Sequence, residues 1–244
     1  MMLRISCCLY FALLVLPLHS EDPAAAKPAV KYDAIDRYAE QQIEGWRVLV
    51  HRDLLTEDRA ELRERTLKLL GSHLYRITTN VPEAAVVQLR KIPIWVEVAH
   101  PKHPCMCYHP DPGWLRDNGM NPAKAGGVEL ANCENFLRWT RDQPWMVLHE
   151  MAHGYHHQFL QNGFDNPEVL AAYQSAKQAK LYDSILRISG RKEKAYAMNN
   201  QQEYFAEQTE AYFGTNDFFP FVNAELREHD PQMHELLGKI WKTK

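Results

Sequence analysis

Two histidines four residues apart, with a glutamate after the first, are the densest chemistry in the chain: His149-Glu150-Met-Ala-His153. On a helix, side chains four positions apart leave one face about a turn apart. Imidazoles so placed can share one metal ion, and a glutamate between them can reach a water on that ion. Leu148, Met151, Ala152, Tyr155 and Phe159 form an apolar stripe at helical spacing across the same stretch. With apolar flanks the ionisable group is expected to be buried. Buried charge needs a partner, and a cation is the obvious one. The plainer alternative is a pair of ordinary histidines on an amphipathic helix.

Catalytic zinc commonly takes three protein ligands and leaves a fourth position to water. The metzincin pattern would put glycine and histidine three and six residues after the second histidine. Those positions hold His156 and Phe159, so that class is excluded. A carboxylate from a later helix is the remaining source, with Glu168, Glu193, Glu203, Glu207 and Glu210 as candidates. In Glu203-Tyr-Phe-Ala-Glu207-Gln-Thr-Glu210-Ala-Tyr-Phe213, three carboxylates fall on one helical face. Their mutual repulsion is poor design unless cations or solvent offset it. The alternative is a solvent-facing acidic stripe.

Val-Leu-His149-Glu150-x-x-His153, Tyr196 and Glu203-Tyr-Phe-Ala-Glu207 together resemble the catalytic domain of the anthrax lethal factor family of zinc metallopeptidases. The match covers roughly the last hundred residues, and the toxin's delivery and recognition domains have no counterpart in a chain of 244. The resemblance implies a gluzincin-type zincin site with Zn²⁺ held by His149, His153 and Glu203. It implies Glu150 as general base and Tyr196, seven residues before Glu203, as a donor to the oxyanion or the departing nitrogen. Glu207, one turn past Glu203, is expected to orient a ligand imidazole. Glu210 is expected to face solvent or pair with a Lys or Arg, and His156 and His157 to be surface groups or neighbours of the ligands.

The elements around this site follow from local pattern. Helices are expected at 59–75 after a Thr56 cap, at 82–90, from Asn166-Pro167 toward Tyr182, at 201–213 and at 225–241, with a weak one at 32–42. Strands are expected at 46–50, 92–98 and 126–132, the last either lying along a cleft, where it could pair with an extended peptide, or serving as one more strand of the sheet. The proline-punctuated segment 100–112 reads as a loop. Residues 190–194 read as a solvated connection, and Phe218 to Phe221 and Trp241 as packing groups. Strands mixed with helices come first and helices alone follow. The expected class is therefore α+β, with a small mixed sheet, an edge strand over the cleft and a helical C-terminal lobe.

Composition narrows the setting. The chain is 45% hydrophobic and 24% charged, with a net charge of −3, which does not suit a nucleic-acid partner. Residues 1–20 read as a signal peptide: Arg4 precedes an apolar block, Leu9 to Leu18, too short to span a bilayer. Residues 21–31 form a Pro/Ala linker, and 32–244 one zincin-like domain, with lobes at about 32–143 and 144–244. The mature protein is expected to be secreted, extracellular or periplasmic, with no membrane partner after signal removal. An oxidising compartment favours a disulfide from Cys133 to Cys105 or Cys107. The loop from His100 to His109, dense in His and Cys, could alternatively hold a second metal. No Asn-x-Ser/Thr sequon occurs. The expected partner is a peptide or protein in extended conformation, cut internally rather than from an end. Rival readings are a zinc-containing extracellular binding protein without catalysis and a zinc amidase acting on cell-wall peptides.

Overall fold

The computed structural model describes residues 32–101 and 103–242; the expected signal (1–20) and linker (21–31) lie outside the described residues. Strand β1, Tyr38–Ile43, replaces the weak helix expected at 32–42. Glu44 and Gly45, both at positive φ, make a two-residue turn that folds β1 back antiparallel onto β2, Trp46–His51. The helical spacing of Ile35, Tyr38 and Ala39 is outweighed by that turn, whose twist suits a hairpin.

Helix α1, Ala60–Asn80, runs five residues past its expected end at Tyr75, stopping only at Val81, which precedes Pro82. Helix α2, Glu83–Leu89, then leads into β3, Ile94–Val96. Within the stretch expected to be irregular, Met106–Tyr108 forms strand β4. Pro104 and Pro110 flank this strand without entering it, and it needs a neighbour on one side only. Helix α3, Pro112–Asp117, precedes β5, Val128–Leu130, and α4, Cys133–Trp139.

These strands make a five-stranded mixed sheet in the order β1-β2-β3-β5-β4. β2, β3 and β5 are parallel, and β1 and β4 run antiparallel at the two edges. The strand expected along the cleft, β5, is therefore interior, and β4 takes the edge. One face of the sheet, with Val48, Val50, Ile94, Val96, Val128 and Leu130, joins the main core. The other face carries Tyr38, Leu49 and Trp95, and beside them the buried ions Glu97, Lys124 and Glu129.

Helix α5, Met146–Phe159, packs against the core face of this sheet. A Cβ at Gly154 would stand 2.6 Å from Ile92 Cδ1, so this glycine lets α5 approach closely. Then follow α6, Pro167–Gln178, a small hairpin of β6, Ile185–Leu186, and β7, Lys192–Glu193, and α7, Gln201–Phe213, whose bounds match the expected helix. The connection read as solvated thus includes β7. The last expected helix is two, α8, Asn223–His229, and α9, Pro231–Ile240. Pro231 cannot continue a helix from its preceding turn, and Asp230 caps the new one through Met233 N–H.

Cys105, Cys107 and Cys133 are free thiols, which corrects the expected disulfide. Cys133 Sγ donates to Glu97 O at 3.0 Å and Cys105 Sγ to Met146 Sδ at 3.4 Å, so both are engaged away from any bridge.

His73 on α1 is buried against Phe136, and burial pushes its pKa down to about 4. The unfolded chain takes up this proton near the usual 6.5, whereas the native state resists it until about 4. Stability from this residue is complete above pH 6.5 and is lost, by up to about 3 kcal/mol, as pH falls toward 4. Urea unfolding of His73→Leu is expected to show a flatter pH dependence in that window. An unchanged slope would contradict the assignment.

Candidate metal centre

Helices α5 and α7 pack together, and their contact holds the ionisable cluster. Asn200 begins α7 by accepting from Gln202 and Glu203 N–H, both at 2.9 Å, which fixes Glu203 in the first turn. From there Glu203 Oε2 reaches His149 Nε2 at 3.1 Å and His153 Nε2 at 3.3 Å. The two ring nitrogens are themselves 3.1 Å apart.

These three separations decide what the cluster suits. Ligand atoms about 2.0–2.1 Å from a tetrahedral Zn²⁺ stand about 3.3 Å from each other. Two imidazole nitrogens and a carboxylate oxygen, each facing the other two, therefore fit one zinc ion with little rearrangement. Of the five candidate carboxylates, Glu203 is the one that meets both histidines.

The opposite ring nitrogen of His149 is also engaged. Nδ1 lies 2.7 Å from Glu210 Oε1 and 3.9 Å from Glu207 Oε1. Glu210 is 3% exposed and pairs with His149, where solvent or a Lys or Arg partner was expected. Positions 203, 207 and 210 share one face, so once Glu203 points inward Glu210 must follow. The orienting hydrogen bond expected from Glu207 is made by Glu210, with Glu207 buried beside it. Burial pushes the carboxyls of both Glu207 and Glu210 up, each with a neighbouring acid adding to it, while His149 pulls them back. For His149, burial favours the neutral ring, but its hydrogen bonds to Glu203 and Glu210 win and raise its pKa well above normal. A cation binding at Nε2 has to displace that proton.

Glu150 faces the same space, and its Oε2 accepts Tyr108 N–H from β4 at 2.8 Å. The β4–β5 ladder uses Cys105 and His109, so the main chain of Tyr108 faces the other way, toward α5. Tyr196 opens the 3₁₀ turn Tyr196–Asn199 and is 48% exposed. Burial and the charge of Glu203 raise its pKa, so the hydroxyl keeps its proton at neutral pH. His149, Glu150, His153, Tyr196 and Glu203 all line one cleft of about 510 Å³. Its walls include Met106 and Tyr108 of β4, Trp139, Phe164, Arg187 and Phe218.

Other expectations shift. His156 is fully buried between Phe164 and Phe205, not at the surface, and burial pushes its pKa down to about 3. His157 Nδ1 lies 2.8 Å from Tyr108 OH. Phe218, expected simply to pack, lines the cleft. Tyr108 was missed altogether, since its contribution is a main-chain N–H that no side-chain pattern reveals.

No family model matches the chain, and no curated protein matches it. Among solved structures it is similar to the Pro-Pro endopeptidase PPEP-2 from Paenibacillus alvei. Sequence identity is 15%, the match covers 82% of this chain and 99% of that one, and the TM-score is 0.43. Likeness at that level assigns neither family nor chemistry.

Glu210→Gln keeps the volume but removes the charge that holds His149 in its ligand orientation. Zinc affinity, measured by competition with a chromogenic chelator, is expected to fall about 10–100-fold. An unchanged affinity would show that the hydrogen bond does not support the ligand.

Proposed function

We propose that this chain is a secreted zinc-dependent endopeptidase of gluzincin type, akin to the lethal factor family it resembles in sequence. The observation that carries the reading is the meeting of His149 Nε2, His153 Nε2 and Glu203 Oε2 within 3.3 Å of one another, beside Glu150. Secretion rests on the composition of residues 1–20. Holding a metal explains the three ligands. It does not explain a second carboxylate and a half-exposed tyrosine in the same cleft.

When bound, Zn²⁺ supplies Lewis acidity and lowers the pKa of water to about 7. Glu150 is the general base. Its Oε2 accepts the Tyr108 N–H, which leaves Oε1 to take the proton of the attacking water and pass it to the leaving amine. Tyr196 keeps its proton and donates to the oxyanion that develops on the scissile carbonyl. A peptide substrate lies extended along β4, where Met106 turns its carbonyl away from the β5 ladder. The same strand thus aligns the substrate and holds the base, which couples binding register to the position of the reacting bond.

A mixture of denatured proteins incubated with the zinc-loaded chain tests this directly. Internal cleavage is expected, lost on chelation and restored by zinc. Glu150→Gln should retain zinc and lose about 10²–10⁴-fold in kcat. Cleavage that survives chelation, or zinc binding with no cleavage of any substrate, would overturn the reading, the latter in favour of a non-catalytic binding protein.

A further inference from the structure

On the face of the sheet turned away from α5, a second set of donors converges. Cys107 on β4 and Glu129 on β5 are cross-strand partners, and His109 follows β4 by one residue. Their ligand atoms all lie within 4.8 Å of one another. His109 Nε2 stands 3.5 Å from Cys107 Sγ and 2.6 Å from Glu129 Oε2. One ring nitrogen thus faces both a thiol and a carboxylate. It has a single position for a proton or a lone pair, so it cannot satisfy both groups alone. His103 adds another imidazole, its ring 5.4 Å from that of His109 and its Nε2 3.3 Å from Met120 Sδ.

We propose that Cys107, His109 and Glu129 bind a second, structural divalent cation of borderline softness, Zn²⁺ being the type, with His103 the nearest candidate for the fourth position. Thiolate, imidazole and carboxylate are the donors zinc takes. Zn–S and Zn–N distances of about 2.3 and 2.1 Å place sulfur and nitrogen about 3.6 Å apart, close to the 3.5 Å found here. The His109–Glu129 separation is a hydrogen-bond length. It opens toward about 3.3 Å when the proton between them gives way to the cation.

Charge supports the exchange. Lys124 is buried against Glu97 and Glu129, which leaves one carboxylate charge uncompensated when His109 is neutral. A divalent cation with a Cys107 thiolate brings the total to zero: one lysine and two metal charges against two glutamates and one thiolate. Binding exchanges the Cys107 thiol proton for the metal. The consequence reaches the cleft. A cation here would clamp β4 to β5 from behind, next to Tyr108, whose N–H holds Glu150.

Cobalt reads this site separately from the first one, which contains no sulfur. Metal-free, reduced protein lacking residues 1–20, and so Cys7 and Cys8, and carrying His149→Ala and Glu203→Ala is titrated with Co²⁺ in the absence of oxygen. A near-ultraviolet thiolate-to-cobalt charge-transfer band is expected at one equivalent. It should survive Cys105→Ser and Cys133→Ser and be lost in Cys107→Ser, while His109→Gln weakens binding at least about tenfold. Absence of the band in protein with native circular dichroism overturns the proposal, as does a band that Cys107→Ser leaves intact. Should Cys107→Ser fail to fold, the parent and His109→Gln titrations decide. Because the readout needs no turnover, it stands or falls independently of the peptidase reading.

Discussion

Four ionisable side chains, His149, His153, Glu207 and Glu210, are buried where α5 meets α7, with Glu203 half-buried beside them, and that burial is the constraint on which the rest depends. Charges removed from water are tolerated only when paired and hydrogen-bonded. Here the pairing runs through one imidazole. His149 presents Nδ1 to Glu210 and Nε2 to Glu203 and His153, so a single ring links both layers of acids. The two outer nitrogens and Glu203 face one point, and the inner carboxylates fix the ring behind it. Packing supports the contact through Phe205 and Trp241, whose rings stack near α5 residue Tyr155.

Strand β4 is three residues long, yet it is the element through which sheet and site communicate. Its alternation sends Tyr108 to the α5 side and Cys107 to the other. The main chain of Tyr108 grips Glu150, and its hydroxyl meets His157 and Gln158. At Gly154 α5 comes within contact distance of Tyr108 and Ile92, so helix, base and strand share one rigid junction. An edge strand bound in this way is unlike a free aggregation-prone edge. One side is paired to β5 and the other is committed to α5 and the cleft.

What the sequence made legible was whatever depends on short range. The spacing of His149 and His153, the span of α7 and the strands around Val48, Trp95 and Glu129 all follow from periodicity and caps. The proline-rich stretch around Met106 did not read as a strand because three residues carry too little alternation to register. Whether β5 or β4 forms the edge depends on pairings between segments far apart in the chain. Glu210 is the instructive miss. Its place on the face of Glu203 is visible in the sequence, but neither solvent nor a Lys or Arg takes it up, because the second ring nitrogen of His149 needs a partner. The thiols show the same limit: three cysteines in a chain read as secreted suggest a bridge, and only their neighbours Glu97, Met146 and His109 show where each sulfur goes.

Anomalous diffraction at the zinc absorption edge from crystals of the zinc-loaded protein tests the central claim most directly. An ion is expected within about 2.0–2.3 Å of His149 Nε2, His153 Nε2 and one Glu203 oxygen, with Glu210 still on His149 Nδ1. An ion held instead by Glu207 and Glu210, or histidines that share none, would contradict it.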